Sequence, residues 1–307
     1  MNKKFVVIII LNFNKSVDTI ECINSLKRIN YSDYKIILID NCSTDDSFKI
    51  FSQKFPDIIK FRTEKNIGYT GGINQGFVKA FELNPEFILV LNNDTIVTEN
   101  FLSELVKTME NNLKVGAAGG LILAEHDRRT IWFAGGKIIH WRGLAVHFSK
   151  GNIFSDKEDK REKLVDFLTG CMVLYRTDLL RICGLEDERF FMYLDDIELS
   201  SRIVKKGYKL IYVPKAIIYH KVFREKENPF KLYYSVRNRL LLINEMNRGV
   251  IKFISKLYFI IVIILKLIFW KLINNNFFNA AKFGLQDYLN NHFYEGRGFQ
   301  LFYDKEE

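Results

Sequence analysis

Cysteine and proline are both scarce, with four of each in 307 residues. Cys22, Cys42, Cys171 and Cys183 stand far apart and form no C-x-x-C pair. That spacing argues against a disulfide framework and against a zinc site, and it suits a reducing compartment. There is no internal repeat and no low-complexity tract. The pattern G-x-G-x-x-G is missing after the first apolar run, which argues against nicotinamide binding. No RNA- or DNA-binding motif is present. The opening MNKKFVVIIIL imitates a secretion signal, with two lysines ahead of an apolar stretch. Yet residues 5–11 are too short a run, lack a small-residue cleavage site and break into polar NFNK, so they read as a buried strand.

What the chain does have is apolar bulk and lopsided charge. It is 48% hydrophobic and 26% charged, which suits one large domain with an appendage or two modest domains. Residues 1–201 carry 26 Lys and Arg against 28 Asp and Glu, whereas residues 202–307 carry 19 against 8. A balance of −2 followed by +11 points to an anionic partner for the C-terminal part: nucleic acid, a phosphorylated substrate or an acidic membrane surface. Solvated lysines on a helical face account for part of the excess without any partner.

Up to about residue 100, apolar strands alternate with amphipathic segments. FVVIIIL (5–11), KIILID (35–40), a short run at 58–62 and EFILVLNN (86–93) read as strands. Helices are expected over 16–28, from the cap-rich NCSTDDS through about 54, and over 75–83. This rhythm predicts a doubly wound, mostly parallel α/β sheet, in which ligands lie beyond the carboxyl ends of the strands. Four polar tips then share one edge: Asn12–Asn14, Asp40–Ser43, Asn66–Gly68 and Asn92–Asp94. The section 115–190 is irregular, and the charged loop SDKEDKREK (155–163) is expected to be solvated.

The tip LNNDT halts an apolar run at two amides and a carboxylate. Alone, Asp94 fits a solvated turn or a cap. Beside the glycine-rich NIGYTGGINQG it fits something else, because backbone N–H groups there can approach an anion. An oxygen-rich N-x-D near such a cradle suits Mg2+ or Mn2+ bridging a diphosphate.

The strings VVIIILNFNK, ILIDNCSTDDS, EKNIGYTGGINQG, VLNNDTIV, DFLTGCMVLYR, FFMYLDDIELSSRIVKKGY, YVPKAIIYH and YYSVRNRLLL, in this order over residues 5–243, resemble glycosyltransferase family 2. They are similar in particular to its bacterial rhamnosyltransferase-like branch. The resemblance implies a GT-A fold and inverting transfer from a nucleotide-diphosphate sugar. It makes Asn92 and Asp94 the metal motif, with Asp94 the stronger ligand. Asp40 is expected to hold base or ribose; Asn12, Phe13 and Asn14 to line the nucleobase; and Asn66, Gly68, Gly71, Gly72, Asn74 and Asn93 to complete the donor site. The processive signature Q-x-x-R-W is absent, so one or a few sugars per encounter are expected.

Sugar transfer needs a base to take the acceptor hydroxyl's proton. Asp195 with Glu198 reads as a near capping box ahead of LSSRIVKKGY, leaving Asp196 at the first helical position and free to face the cleft. Crowding by acidic neighbours raises its pKa and improves it as a base. The resemblance also favours Asp196, with Asp195 the fallback. His220, ending AIIYH, is either a structural histidine or a third metal ligand. Arg202, Arg237 and Arg239 are either surface arginines or partners of donor or acceptor phosphates. Trp132, Trp141 and residues 190–193 can stack on sugars, although core packing explains most of them.

In residues 251–273, Lys252, Lys256, Lys266 and Lys271 fall on a single helical face. Such a helix is expected to lie in the membrane interface, although a single span or an oligomer-forming hairpin with 277–293 are alternatives. The expected division is 1–224 for the catalytic domain, with a nucleotide half at about 1–100 and an acceptor half at about 101–224, and 225–307 for a basic, apolar helical region. The leading expectation is therefore a metal-dependent, non-processive glycosyltransferase on the cytoplasmic face of the cell membrane. It would use a UDP- or dTDP-linked donor and a lipid-linked glycan acceptor, as a possible homo-oligomer. A nucleic-acid-binding protein and a non-catalytic membrane interaction protein on the same fold are the competing readings. The first explains the charge but not the acid-rich edge, so no nucleic acid is expected as partner.

Overall fold

The computed structural model describes residues 4–155, 161–221 and 228–303. The expected boundary at 224/225 and the middle of the charged loop lie outside them. The first half alternates as its sequence suggests: β1 (Val6–Asn12), α1 (Ser16–Leu26), β2 (Tyr34–Asp40), α2 (Ser47–Lys54), β3 (Ile59–Arg62), α3 (Gly68–Glu82), β4 (Phe87–Leu91), β5 (Thr95–Val97) and α4 (Phe101–Asn111). Then come β6 (Val115–Ala124), β7 (Ile131–Phe133), β8 (Gly136–Ile139), β9 (Leu144–His147), β10 (Lys163–Val165), β11 (Met172–Arg176), α5 (Thr177–Cys183), α6 (Asp195–Lys205) and β12 (Lys209–His220). Four helices end the chain: α7 (Pro229–Met246), α8 (Gly249–Ile273), α9 (Asn275–Leu289) and α10 (Gly298–Phe302).

The main sheet runs β10-β12-β6-β11-β4-β1-β2-β3, with β5 paired to β12 and β7 to β6. Strands β3, β2, β1 and β4 are parallel; β11 is antiparallel to both its neighbours. This is a mixed, mostly parallel GT-A sheet flanked by helices. Its centre is buried on both faces, since Val6 through Ile10 are inaccessible to solvent. That explains why β1 reads as an unbroken apolar run instead of an alternating one.

Two departures from the sequence reading matter for the site. Helix α3 begins at Gly68, a full two turns before the expected start at residue 75. Its glycines lower helix propensity, but contact with the sheet overrides it. A Cβ on Gly72 would meet Leu11 at 2.4 Å, and one on Gly76 would meet Ile9 at 2.5 Å. Gly71 faces back onto Ile67 of its own chain segment. Gly72 and Gly76 thus let the helix approach β1, while Gly71 packs onto the turn that precedes the helix. The run at 86–93 also ends early: β4 stops at Leu91, and Asn92–Asp94 form the turn into β5.

Strand β12 carries a bulge. Its register with β6 jumps from Val213 opposite Gly120 to Ile217 opposite Leu121. The inserted residues bend the strand and re-aim its last turnless stretch, so that His220 lies opposite Thr95 of β5. Gly120 makes room for the bulge, because a Cβ there would sit 2.0 Å from the Ala216 carbonyl oxygen. Backbone cannot rotate away as a side chain can. Gly120→Ala is expected to destabilise the fold by about 1–3 kcal/mol, as overpacking does, and thermal unfolding of the variant would register it as a lowered Tm.

Candidate active site

The carboxyl ends of β1, β2 and β4 meet beside the N-terminus of α3. Asn12 is fully buried; its Nδ2 donates to Asp40 Oδ1 at 2.9 Å and to Ser43 Oγ at 3.0 Å, while its Oδ1 accepts from Thr19 at 2.7 Å. Asp40 is equally buried, accepting from Ser43 N at 3.1 Å and lying 3.4 Å from the Arg62 guanidinium. The Asp40 carboxylate is thereby committed to shaping the tip. Asn14, with φ 53°, accepts from Thr44 N at 2.8 Å and fixes the next loop.

A cavity opens next to this network. From the first half of the chain it is lined by Phe13, Asn41, Asn66, Tyr69, Asn92 and Asn93, and Gly68 joins them. Asn66 accepts from Asn41 Nδ2 and from Gly68 N, while Asn93 donates to Thr19 at 2.9 Å. Gly68 needs its own backbone freedom: φ is +78°, and a Cβ would meet the Phe191 ring and carbonyl. Asn74 lies elsewhere. It is buried behind the acidic cluster, bonded to the Glu186 backbone at 2.9 and 3.0 Å.

Asp94 meets His220 across the β4–β5 turn, with Nε2 3.0 Å from Oδ1. The contact lacks good hydrogen-bond angles, and among the described residues Asp94 Oδ1 and both His220 ring nitrogens are buried without a well-formed hydrogen bond. Two ligands held about 2.1 Å from one octahedral cation, at right angles, are about 3.0 Å apart. The donor set, one carboxylate and one imidazole, suits Mn2+ or Mg2+. These residues therefore fit a divalent cation. Asn92 points toward the Tyr69 hydroxyl at 3.4 Å and into the cavity. Burial works against the Asp94 charge, but His220 and Lys221 outweigh it and hold its pKa below 3.8. Trp132 packs edge-on against His220 at 4.6 Å, whereas Trp141 is exposed and pairs with Tyr258 of α8.

The acids come from the N-terminus of α6. Here the capping-box reading fails: Leu194 is the cap, with φ 70°, and Asp195 and Asp196 are the first two helical residues. Glu198 turns the other way, to Arg202 at 2.8 Å. Asp195 is buried; Asp196 is half-buried and accepts from Gly170 N at 3.2 Å and Ile197 N at 2.8 Å. Burial raises Asp196 above 3.8, against the opposing bonds from Gly170, Ile197 and Thr169. Asp195 and Glu186 are also raised, by burial first and then by repulsion from the acids beside them.

The segment before α6 is strained, since Phe191, Tyr193 and Leu194 all have positive φ without being glycine. Two buried residues of α7 hold it. Arg237 Nη2 donates to the carbonyls of Arg189 (3.2 Å) and Phe190 (3.0 Å). Asn238 Nδ2 donates to Phe190, Met192 and Tyr193 at 2.8, 2.7 and 3.1 Å. The arginines expected to meet phosphates therefore do other work. Arg237 clamps this segment, Arg202 binds the carbonyls of Cys183 and Leu185, and Arg239 binds those of Arg142 and Gly143. Guanidinium forks satisfy converging carbonyls as readily as they satisfy anions. The sequence reading missed Asn238, although a poor helix former inside an 18-residue helix is a signal that its side chain is needed. Asn238→Ala should cost about 1–3 kcal/mol and raise amide hydrogen exchange across residues 190–196; unchanged protection there would rule out the clamp.

Comparison with known proteins agrees with this fold. The L-rhamnosyltransferase of Mycobacterium tuberculosis named for N-acetylglucosaminyl-diphospho-decaprenol is 25% identical over 213 residues, covering 63% of this chain and 69% of that protein. The O-antigen chain rhamnosyltransferase WbaN of Salmonella anatum is 23% identical, over 65% of this chain and 60% of its own. Among solved structures, the Pyrobaculum calidifontis mannosyltransferase PcManGT with GDP-Man and Mn2+ superimposes with TM-score 0.58 at 14% identity, covering 94% of this chain and 76% of that one. GalNAc-T7 with UDP, GalNAc and Mn2+ gives TM-score 0.63 at 17% identity, over 79% of this chain and about half (48%) of its own. Both share the GT-A fold. Residues 7–183, more than half of the sequence, match the family described as Glycosyl transferase family 2, and the chain belongs to that family of glycosyltransferases.

Proposed function

We propose that the chain is an inverting, metal-dependent glycosyltransferase. It moves a sugar, rhamnose by analogy with its relatives, from a nucleoside-diphosphate donor to a lipid-linked glycan acceptor. One observation carries this reading. Adjacent residues Gly170 and Cys171 tie the two chemical corners together: Gly170 N donates to Asp196, and the Cys171 carbonyl accepts from Asn92 N at 3.0 Å. The Cys171 thiol also lies within electrostatic reach of both Asp94 and Asp196. Closeness of a metal-binding and a proton-accepting carboxylate is what single-displacement sugar transfer requires.

In this reading Asp196 accepts the proton of the acceptor hydroxyl as that oxygen forms its bond to the anomeric carbon. The bond from that carbon to the diphosphate oxygen breaks on the opposite face, which inverts the configuration. The amides of Asn92 and Asn93 and the N-terminal end of α3 face the phosphates. When bound by Asp94 and His220, a divalent cation would neutralise charge on the departing diphosphate. With Mn2+ and a panel of nucleotide sugars, Asp196→Asn should reduce turnover by about 10²–10⁴-fold, measured as nucleoside diphosphate release, and Asp94→Ala should abolish stimulation by the metal. Because burial raises Asp196, a base that must be unprotonated, activity is expected to be lost as pH falls, with the acid limb lying above the ordinary aspartate range. Full activity of Asp196→Asn would sink the assignment.

The acceptor's lipid fits helix α8. It is 25 residues long, and by length and composition it is apolar enough to cross a bilayer. Its packing favours an in-plane position. Ser255, Phe259 and Ile263 are buried against the body, while Leu257, Ile261, Leu265, Ile268 and Leu272 are exposed on the other side. At about 100° per residue, Lys252, Lys256 and Lys266 fall on the packed side, leaving an uncharged outer face flanked by cations. The full chain should sediment with anionic lipid vesicles, and L257E with L265E should release it; retention of that variant would count against in-plane insertion.

A further inference from the structure

Helix α10 reaches back across the molecule to the donor cavity, although none of the proposed catalytic groups lies on it. Its Phe302 is buried against Tyr233 and Phe283, and Gly298 lies so close that a Cβ would meet the Tyr233 ring at 2.2 Å. With that side anchored, Phe299 and Tyr303, four residues apart, line the cavity. Their rings stack on one another at 4.4 Å with planes 14° apart, so the pair is a rigid aromatic stack that offers an outer face and an edge to the cavity. Phe13 touches both, at 6.1 and 5.7 Å, and Phe191 touches Phe299 at 6.2 Å.

The cavity is therefore of mixed character. Part of its lining is aromatic, from Phe13, Phe191, Phe299 and Tyr303, and part carries the amides of Asn66, Asn92 and Asn93. Its volume is ≈ 180 Å³, below the roughly 300–1,000 Å³ of pockets that enclose whole ligands. A planar ring with part of its ribose matches that space, and the remainder of a donor runs past the amides toward Asp94. We propose that α10 is a donor-site element, and that Phe299 and Tyr303 form the outer wall against which the donor's nucleobase packs. This rests on the nucleoside-diphosphate donor proposed for the chain. It adds that the C-terminal helices complete the nucleotide site and that two residues far outside the matched family region 7–183 govern nucleotide affinity.

The test is binding of UDP and dTDP, in the presence of Mn2+, to the full chain and to Phe299→Ala and Tyr303→Ala, with pyrophosphate as a probe that lacks a base. Loss of an aromatic partner for a base is expected to weaken nucleotide binding about 5- to 150-fold while leaving pyrophosphate binding unchanged. Phe299→Tyr and Tyr303→Phe should restore it, and thermal melts should show the alanine variants folded. Equal or tighter nucleotide binding by folded alanine variants overturns the proposal, and tighter binding would identify α10 as a plug instead of a wall. If the unaltered chain binds pyrophosphate but neither nucleotide, the donor reading falls, and this one with it. If it binds both nucleotides and the variants match it, only the role of α10 falls.

Discussion

The molecule depends on five hydrogen bonds from two neighbouring side chains. Arg237 and Asn238 gather the carbonyls of residues 189–193 and so hold a backbone that would not keep its shape alone. Each non-glycine residue in the left-handed region costs on the order of 1–3 kcal/mol, and three such residues stand within four positions. The reward is directional. Three left-handed residues turn the chain sharply enough to bring both aspartates onto the first turn of α6, facing the end of β4. With Asp195 itself as the cap, each aspartate would stand one position earlier on the helix, about 100° around its axis.

The same economy appears on the metal side. Asp94 sits in a turn between two short strands, and His220 arrives from a strand bent by a bulge. His220 is buried and Asp94 about a quarter exposed (26%), and among the described residues neither completes its hydrogen bonding. Buried atoms left in this condition are destabilising, as is crowding Asp195, Asp196 and Glu186 in one buried place. These losses are offset by the apolar sheet beneath, whose central strand is wholly buried. The result is a division of labour: a dry, regular sheet supplies stability, and its polar rim is free to be chemically unsatisfied.

The sequence announces the sheet clearly because both-side burial writes itself as apolar runs, and the polar tips stand out against them. Asp94, Asp196 and His220 are legible for that reason. The start of α3 is hidden because a glycine that admits a neighbouring strand looks, in sequence, like one that breaks a helix. The three arginines mislead similarly, since carbonyls and anions attract the same fork. Phe299 and Tyr303 carry no usable signal of their place at the site, and Asn238 carries only that of a poor helix former inside a helix. Their importance comes from where α7 and α10 return in space, and contacts between segments so distant in sequence leave no local periodicity.

The seam between α7 and α9 has a consequence for substrates. Gly284 brings α9 so near that a Cβ would sit 2.5 Å from the Tyr233 carbonyl, and buried Asp287 fastens Tyr233 and Arg297 on either side. Helix α8 leads directly into α9, and α7 clamps the acid-bearing loop. Wherever the greasy helix is held, the cleft is carried at a set height above it. An acceptor would then be measured by the length of its spacer: too short a link between lipid and sugar leaves the hydroxyl beneath the cleft, and too long a link overshoots it.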